Sequence, residues 1–117
     1  MRLTEIAFGT AQPVESYGPG FFRIGGKVLN GAVIITPEGA GPWGGLEDLA
    51  SLIALVDQAD VLFLGMGAEI AHPPRALREA VEATGLGLEV MSSPAACRTY
   101  NVLLSEGRRV ALALLPV

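Results

Sequence analysis

The first third of this 117-residue chain carries short apolar runs separated by glycine and proline, a pattern typical of strands joined by turns. Residues 21–24 and 27–29 flank Gly25-Gly26, a dipeptide suited to a two-residue turn at positive φ, so we expect an N-terminal β-hairpin. Asn30-Gly31 predicts either a second turn or a bulge in one strand that runs to Ile35. The other segments of this third predict a short strand or arm with a loop, residues 1–20, and a glycine-rich loop, residues 38–45.

From residue 46 onward, helical and strand periods alternate. Strands that are apolar on both faces need helices to cover them, so the pattern predicts a three-layer α/β single domain over residues 1–117. In the last helix, Ser92 or Ser93 caps the first turn, Pro94 suits the first position, and Gly107 suits the residue after the last turn. The predicted helices are residues 46–56, 74–84 and 94–106, and the predicted strands are residues 61–64, 86–91 and 110–115.

Composition and charge exclude several classes of function. The formal net charge is −4, and Arg108-Arg109 is the largest basic cluster, so we expect no nucleic-acid partner. One cysteine and one histidine cannot form an internal disulfide or a structural zinc site, so we expect no metal. Residues 1–5 lack the apolar core of a signal peptide and no apolar run is long enough to span a bilayer, so we expect a soluble, cytoplasmic protein without membrane insertion.

The end of the first buried strand of this α/β region is one candidate site. Gly65-Met66-Gly67 matches the start of a dinucleotide-binding fingerprint, in which glycines let the backbone approach a pyrophosphate. Ile70 occupies the third glycine position and Pro73-Pro74 delays the helix, so we expect no nucleotide cofactor. The position still favours a cleft, because clefts form at the carboxyl ends of strands in α/β folds.

The last predicted helix carries a second group of candidates. Arg98 suits the binding of a carboxylate or phosphate, or an ion pair with Glu69 or Glu89. Tyr100 and Asn101 lie beside it, and Asn101 suits a role in anchoring a neighbouring loop.

Three further residues have one functional and one structural interpretation each. Cys97 lies in the first turns of the helix, where a thiolate is favoured, but it also belongs to the apolar face. His72 is either a partner for Cys97 or a loop residue bonded to backbone. Trp43 in the glycine-rich loop is either an interface anchor or a lid on the core.

Three stretches of the chain carry a resemblance to known proteins. They are Asp60-Val61-Leu62-Phe63-Leu64-Gly65-Met66-Gly67, Pro74-Arg75-Ala76-Leu77, and Met91 with Pro94-Ala95-Ala96-Cys97-Arg98-Thr99-Tyr100-Asn101-Val102-Leu103, Glu106, Arg108 and Arg109. Taken together, they resemble the family of small α/β domains that includes the mitochondrial NADH:ubiquinone oxidoreductase complex assembly factor 3 and the adipogenesis-associated domain proteins. The resemblance covers nearly the whole chain, and the block Arg98-Thr99-Tyr100-Asn101 is its specific part.

The resemblance implies an α/β fold with a mixed, mostly parallel five-stranded sheet in which one strand is antiparallel. It supplies no established catalytic residues, so the leading hypothesis is a non-enzymatic protein-interaction or assembly factor that binds its partner with residues 65–72 and the start of the last helix. A homodimer stays open, because Phe21, Phe22 and a hairpin edge are available for pairing. The alternatives are a redox-responsive thiol protein using Cys97, and a small-molecule-binding protein or enzyme with a cleft at Gly65, Met66, Gly67, Arg98, Tyr100 and Asn101.

Overall fold

The computed structural model describes residues 12–117, which form two β-sheets and three α-helices. The helices are α1 (Leu49–Ile53), α2 (Arg75–Glu82) and α3 (Ser93–Ser105), and a 3₁₀ turn (Ala54–Asp57) continues α1. The strands are β1 (Val14–Gly18), β2 (Phe21–Ile24), β3 (Lys27–Asn30), β4 (Val33–Thr36), β5 (Gly39–Pro42), β6 (Val61–Gly65), β7 (Gly87–Met91) and β8 (Val110–Leu114).

The larger sheet is mixed and has five strands in the order β5-β4-β8-β6-β7. Strands β7, β6 and β8 are parallel, whereas β4 is antiparallel to both β8 and β5. The prediction of a mixed five-stranded sheet is therefore confirmed. Strands β1, β2 and β3 form a separate antiparallel sheet, in which Gly25 and Gly26 join β2 to β3 at φ values of 59° and 80°.

The core divides into two clusters because neighbouring residues of a strand point to opposite faces of the sheet. On β6, Phe63 belongs to one cluster, while Leu62 and Leu64 belong to the other. Helix α3 and the three-stranded sheet contribute to the first cluster, and helices α1 and α2 contribute to the second. All five residues of β8 are apolar, and all five are buried, as expected for a strand covered on both faces.

Several element boundaries differ from the sequence prediction. The predicted glycine-rich loop contains strand β5, whose residues pair with β4 in the register Thr36↔Gly39 to Val33↔Pro42. The alternative of one strand running to Ile35 with a bulge at Asn30-Gly31 is wrong, because β3 and β4 are separate strands of different sheets. The predicted helix over residues 46–56 begins three residues later and ends in a 3₁₀ turn. Of the predicted strand or arm over residues 1–20, residues 1–11 lie outside the described residues.

Within residues 12–117, no helix combines the length and the hydropathy that crossing a bilayer requires.

Candidate functional site

Ser93, the first residue of α3, ties together the carboxyl ends of β6 and β8. Its Oγ accepts a hydrogen bond from the Gly67 N–H at 2.9 Å and donates one to the Leu115 carbonyl at 2.7 Å. Its own N–H donates to the Gly67 carbonyl at 2.7 Å. Ser93 is fully buried, so these bonds satisfy its hydroxyl where water has no access. The preceding Ser92 caps the helix by accepting from the Ala95 N–H at 3.3 Å.

The space at this junction is filled by protein atoms. A Cβ added to Gly65 would lie 2.7 Å from Leu114 Cδ2, Ser93 Cα and Ser93 Oγ, so only glycine lets the helix approach the strand this closely. Gly67 is also buried, and its φ of 102° is a conformation that glycine adopts readily. Gly65 and Gly67 therefore serve helix–sheet packing, the role that the third glycine has in a dinucleotide-binding fingerprint.

The loop that follows this junction is exposed. Residues 68–72 all present more than a third of their surface to solvent, and Ile70 has 68% of its surface exposed. Ile70 is the most exposed large hydrophobic residue in the described part of the chain. The loop begins at a fixed point, because the Met66 N–H donates to the Met91 carbonyl and Gly67 is bonded to Ser93. We name residues 68–72 the β6–α2 loop.

Tyr100 and Asn101 take part in a different contact, on the flank of α3 that faces β1. The Tyr100 hydroxyl donates to the Gln12 carbonyl at 3.0 Å. The Asn101 amide accepts from the Val14 N–H and donates to the Val14 carbonyl, each at 2.9 Å. Both side chains bind main-chain atoms of the segment that enters β1. Burial raises the pKa of the Tyr100 phenol, which keeps this hydroxyl a donor.

Arg98 and Cys97 differ sharply in exposure although they are neighbours. Arg98 is exposed, and within the described residues neither Glu69 nor Glu89 forms an ion pair with it. Cys97 has 3% of its surface exposed and packs in the first core cluster. Burial raises the pKa of its thiol to about 12, against a weaker opposing effect of the Arg98 charge. A thiol with this pKa is protonated at neutral pH and is a poor nucleophile.

His72 and Trp43 occupy contrasting environments. His72 is exposed in the β6–α2 loop. Trp43 has 5% of its surface exposed, and its indole N–H donates to the Asp48 carbonyl at 3.2 Å. Its ring packs in the second core cluster. Among residues 12–117, no group of three or more His, Cys, Asp or Glu side chains is placed to hold a metal ion.

The predicted candidates therefore fall into two separate contacts. Gly65 and Gly67 meet the start of α3 through Ser93, whereas Tyr100 and Asn101 bind the entry to β1. The sequence offers Ser93 only as an alternative helix cap to Ser92 and does not predict its bridging role. The signal was the second serine, because one hydroxyl is enough to cap the helix. It also did not find Gln12 and Val14, because they contribute only main-chain atoms.

Residues 14–115 match a family described as a protein of unknown function, DUF498/DUF598. The chain belongs to this family. The match includes the three helices and eight strands that residues 12–117 form.

Similar proteins occur in bacteria and in animals. An uncharacterized protein of Rhodobacter capsulatus is 55% identical over 117 residues, which cover 100% of this chain and 94% of that protein. The NADH dehydrogenase [ubiquinone] 1 alpha subcomplex assembly factor 3 of Danio rerio is 33% identical over 96% of this chain and 67% of its own length. The protein with this name in Homo sapiens is 28% identical over 91% of this chain and 61% of its own length, so this chain spans about three fifths of it.

Solved structures confirm the fold. A protein of Bartonella henselae, described as an outer membrane protein, superposes with a TM-score of 0.83 at 34% identity and covers 94% of this chain and 98% of its own. A Bordetella parapertussis protein gives a TM-score of 0.79 at 31% identity, with 92% and 98% covered. A Bordetella pertussis protein described as a Mth938-like domain gives 0.74 at 27% identity, with 90% and 85% covered. The chain therefore has the α/β fold of the Mth938-like domain.

Proposed function

We propose that this chain is a non-enzymatic assembly factor that binds a protein partner through the β6–α2 loop and the first turns of α3. The observation that carries the proposal is the exposure of Ile70 in a loop whose start is fixed by hydrogen bonds. A large apolar side chain that is held in solvent is a favourable anchor for a partner, because its burial on binding releases apolar surface from water at little cost in loop ordering.

We include Arg98 of α3 in the proposed surface. It lies five residues beyond Ser93, which is about 7.5 Å along the helix axis, and it is an exposed residue. Arginine is enriched at the energetically important positions of interfaces, where it pairs with carboxylates of the partner. The proposed surface therefore combines one apolar anchor with one cation.

The names of the relatives support the assembly role. Several animal relatives are named as assembly factors of NADH dehydrogenase, so we propose a subunit or assembly intermediate of a respiratory complex as the partner. The competing small-molecule cleft has less support. Its glycines contact Ser93, and its tyrosine and asparagine are occupied by the main chain of Gln12 and Val14.

An affinity capture with matched variants tests this proposal. The tagged chain is crosslinked in its native host, and captured proteins are quantified by mass spectrometry for the wild type, Ile70→Ser and Val28→Ser. Val28 has 44% of its surface exposed but lies on β3, in the other sheet, so it controls for the loss of an exposed apolar side chain.

We expect one protein to be captured equally by the wild type and Val28→Ser, and about tenfold less by Ile70→Ser, since loss of an interface anchor costs about 1–2 kcal/mol. Circular dichroism confirms that each variant is folded. Equal capture by all three chains would exclude the β6–α2 loop as the binding surface.

A further inference from the structure

The two outer strands of the five-stranded sheet differ in how their free edges are protected. Strand β5 is an outer strand of four residues, Gly-Ala-Gly-Pro, and Pro42 has no N–H to offer another strand. Strand β7 is the other outer strand and contains no proline, no lysine and no register shift against β6. Natural proteins usually block exposed edges with one of these features or with another charged side chain. Glu89 is the one charged residue of β7. The edge of β7 is therefore the more open of the two.

The backbone of β7 has hydrogen-bonding groups available on this edge. Apart from the ladder with β6, no backbone group of Leu88, Glu89 or Val90 bonds another part of residues 12–117. Neighbouring residues of a strand direct their N–H and carbonyl groups to opposite edges. The Gly87 N–H and the Met91 carbonyl bond the β6 side, so the backbone groups of Leu88 and Val90 face the open edge. An extended segment placed beside β7 would satisfy these groups.

The side chains of β7 define what such a segment must carry. Leu88 and Val90 are half-buried and pack on the second core cluster, so neighbours on that face are favoured when they are apolar. Glu89 points to the opposite face, in register with Phe63, and its side chain is exposed. Residues directly opposite each other on paired strands share a face, and opposite charges there stabilise the pairing.

A second copy of this chain fits the edge poorly. When two β7 strands pair antiparallel over their full length, their central Glu89 side chains lie directly opposite each other. Like charges at those positions destabilise a strand pair. A segment with lysine or arginine opposite Glu89 has the complementary charge.

We infer that β7 is a strand-addition site for an extended partner segment that has a basic residue flanked by β-branched apolar residues. This inference rests on the proposed function, because it specifies how a protein partner is bound. The site is continuous with the β6–α2 loop, since the Met91 carbonyl at the end of β7 accepts from the Met66 N–H that precedes the loop. One partner can therefore contact both.

A peptide titration followed by NMR tests the inference. The probe is the acetylated and amidated peptide Thr-Val-Lys-Val-Thr, added to the ¹⁵N-labelled full chain. A control peptide carries N-methyl groups on its three central residues, which removes pairing donors from both of its edges. In a charge-exchange experiment, the Glu89→Lys variant is titrated with the peptide Thr-Val-Glu-Val-Thr, so that both charges are reversed together.

We expect amide shifts that are concentrated at residues 87–91, absent with the N-methylated peptide, and about fivefold weaker in affinity for Glu89→Lys, as expected for one cross-strand charge pair. The charge-exchanged peptide should restore binding to Glu89→Lys. Three results would overturn the inference: no shifts at millimolar peptide, equal shifts with the N-methylated peptide, or protection of the outer β7 amides in the free chain by self-pairing or intrachain pairing. If the peptide fails while capture still depends on Ile70, strand addition is wrong and the proposed function stands.

Discussion

The Asn101 side chain forms the two hydrogen bonds with Val14 that the backbone of a neighbouring strand would otherwise form. Its amide presents one acceptor and one donor to Val14, at 2.9 Å each, as a paired residue of a ladder would. Since Val14 is buried, its N–H and carbonyl need these partners. Asn101 therefore blocks the outer edge of β1 at the point where the strand enters the fold.

Replacing Asn101 by aspartate tests this role with almost no change in shape. The carboxylate keeps an acceptor for the Val14 N–H but places a second oxygen against the Val14 carbonyl. We expect the free energy of unfolding to fall by about 1–3 kcal/mol, the cost of an unsatisfied and repelled buried acceptor. Urea denaturation measures the change. Arg98→Ala, on the same helix but exposed, should change it by less than about 0.5 kcal/mol, and equal losses in the two variants would contradict the role.

The buried thiol of Cys97 should make the stability of the fold depend on pH. In the folded chain, burial raises the pKa of its thiol from an ordinary value of 9.0 to about 12. Above pH 9 the unfolded chain loses this proton while the folded chain keeps it, so the folded state binds more protons and stability falls as pH rises.

We therefore expect the free energy of unfolding to decrease from pH 8 to pH 10.5 more steeply in the wild type than in Cys97→Ala. Tyr100 titrates in both chains and cancels in the comparison. Parallel pH profiles for the two chains, measured by urea denaturation, would show that Cys97 is more accessible than its burial indicates.

Among the elements, those with local signals were the ones that the sequence predicted well. Helix α3 was expected over residues 94–106 and spans Ser93–Ser105, because its cap and its terminal glycine are encoded within a few residues of each end. The buried strands β6 and β8 were found because their apolar runs are continuous. In each case the determining interactions are close in sequence.

Strand β5 was missed because nothing in Gly39–Pro42 favours a strand locally. It forms because the Pro37-Glu38 turn brings it beside β4, where the Thr36 hydroxyl accepts from the Glu38 N–H at 3.0 Å and donates to the Gly39 carbonyl at 3.3 Å. The hydrogen bonds with β4 hold these residues in a strand although their own strand propensity is low. Tertiary context of this kind is not visible in hydrophobic periodicity.

Ser93 joins three elements, and its removal should affect all of them. In Ser93→Ala, the Gly67 N–H and the Leu115 carbonyl lose their side-chain partner in a buried place. We expect a loss of about 1–3 kcal/mol in stability and faster hydrogen exchange at the Gly67 amide. Native-state exchange followed by NMR measures both.

Ser92→Ala is the matched control for this prediction. It removes the helix cap to Ala95 and should cost about 0.5–2 kcal/mol, but it leaves the Gly67 amide bonded. If Gly67 exchange accelerates equally in both variants beyond the change in global stability, the junction role of Ser93 is wrong.

At the scale of the whole molecule, distant segments of the chain meet where the candidate residues lie. Tyr100 and Asn101 bind Gln12 and Val14 across 88 and 87 positions of sequence, and the Gly20 N–H donates to the carbonyl of Val117. The sequence identified the chemistry-bearing residues of α3 but not their partners, because a main-chain acceptor has no residue signature. The sequence also did not predict the exposure of Ile70. This residue was considered only because it occupies the third glycine position of the fingerprint, yet it is the most exposed large hydrophobic residue described.

The assembly role is tested most directly by rescue in the host that encodes this chain. The gene is deleted, and the amount of assembled NADH:ubiquinone oxidoreductase is measured on native gels after expression of wild type, Ile70→Ser or Val28→Ser at equal levels. We expect deletion to reduce the assembled complex, wild type and Val28→Ser to restore it, and Ile70→Ser to restore less than either, because it binds the partner about tenfold more weakly. Unchanged complex after deletion, or full rescue by Ile70→Ser, would contradict the proposed function or its surface, respectively.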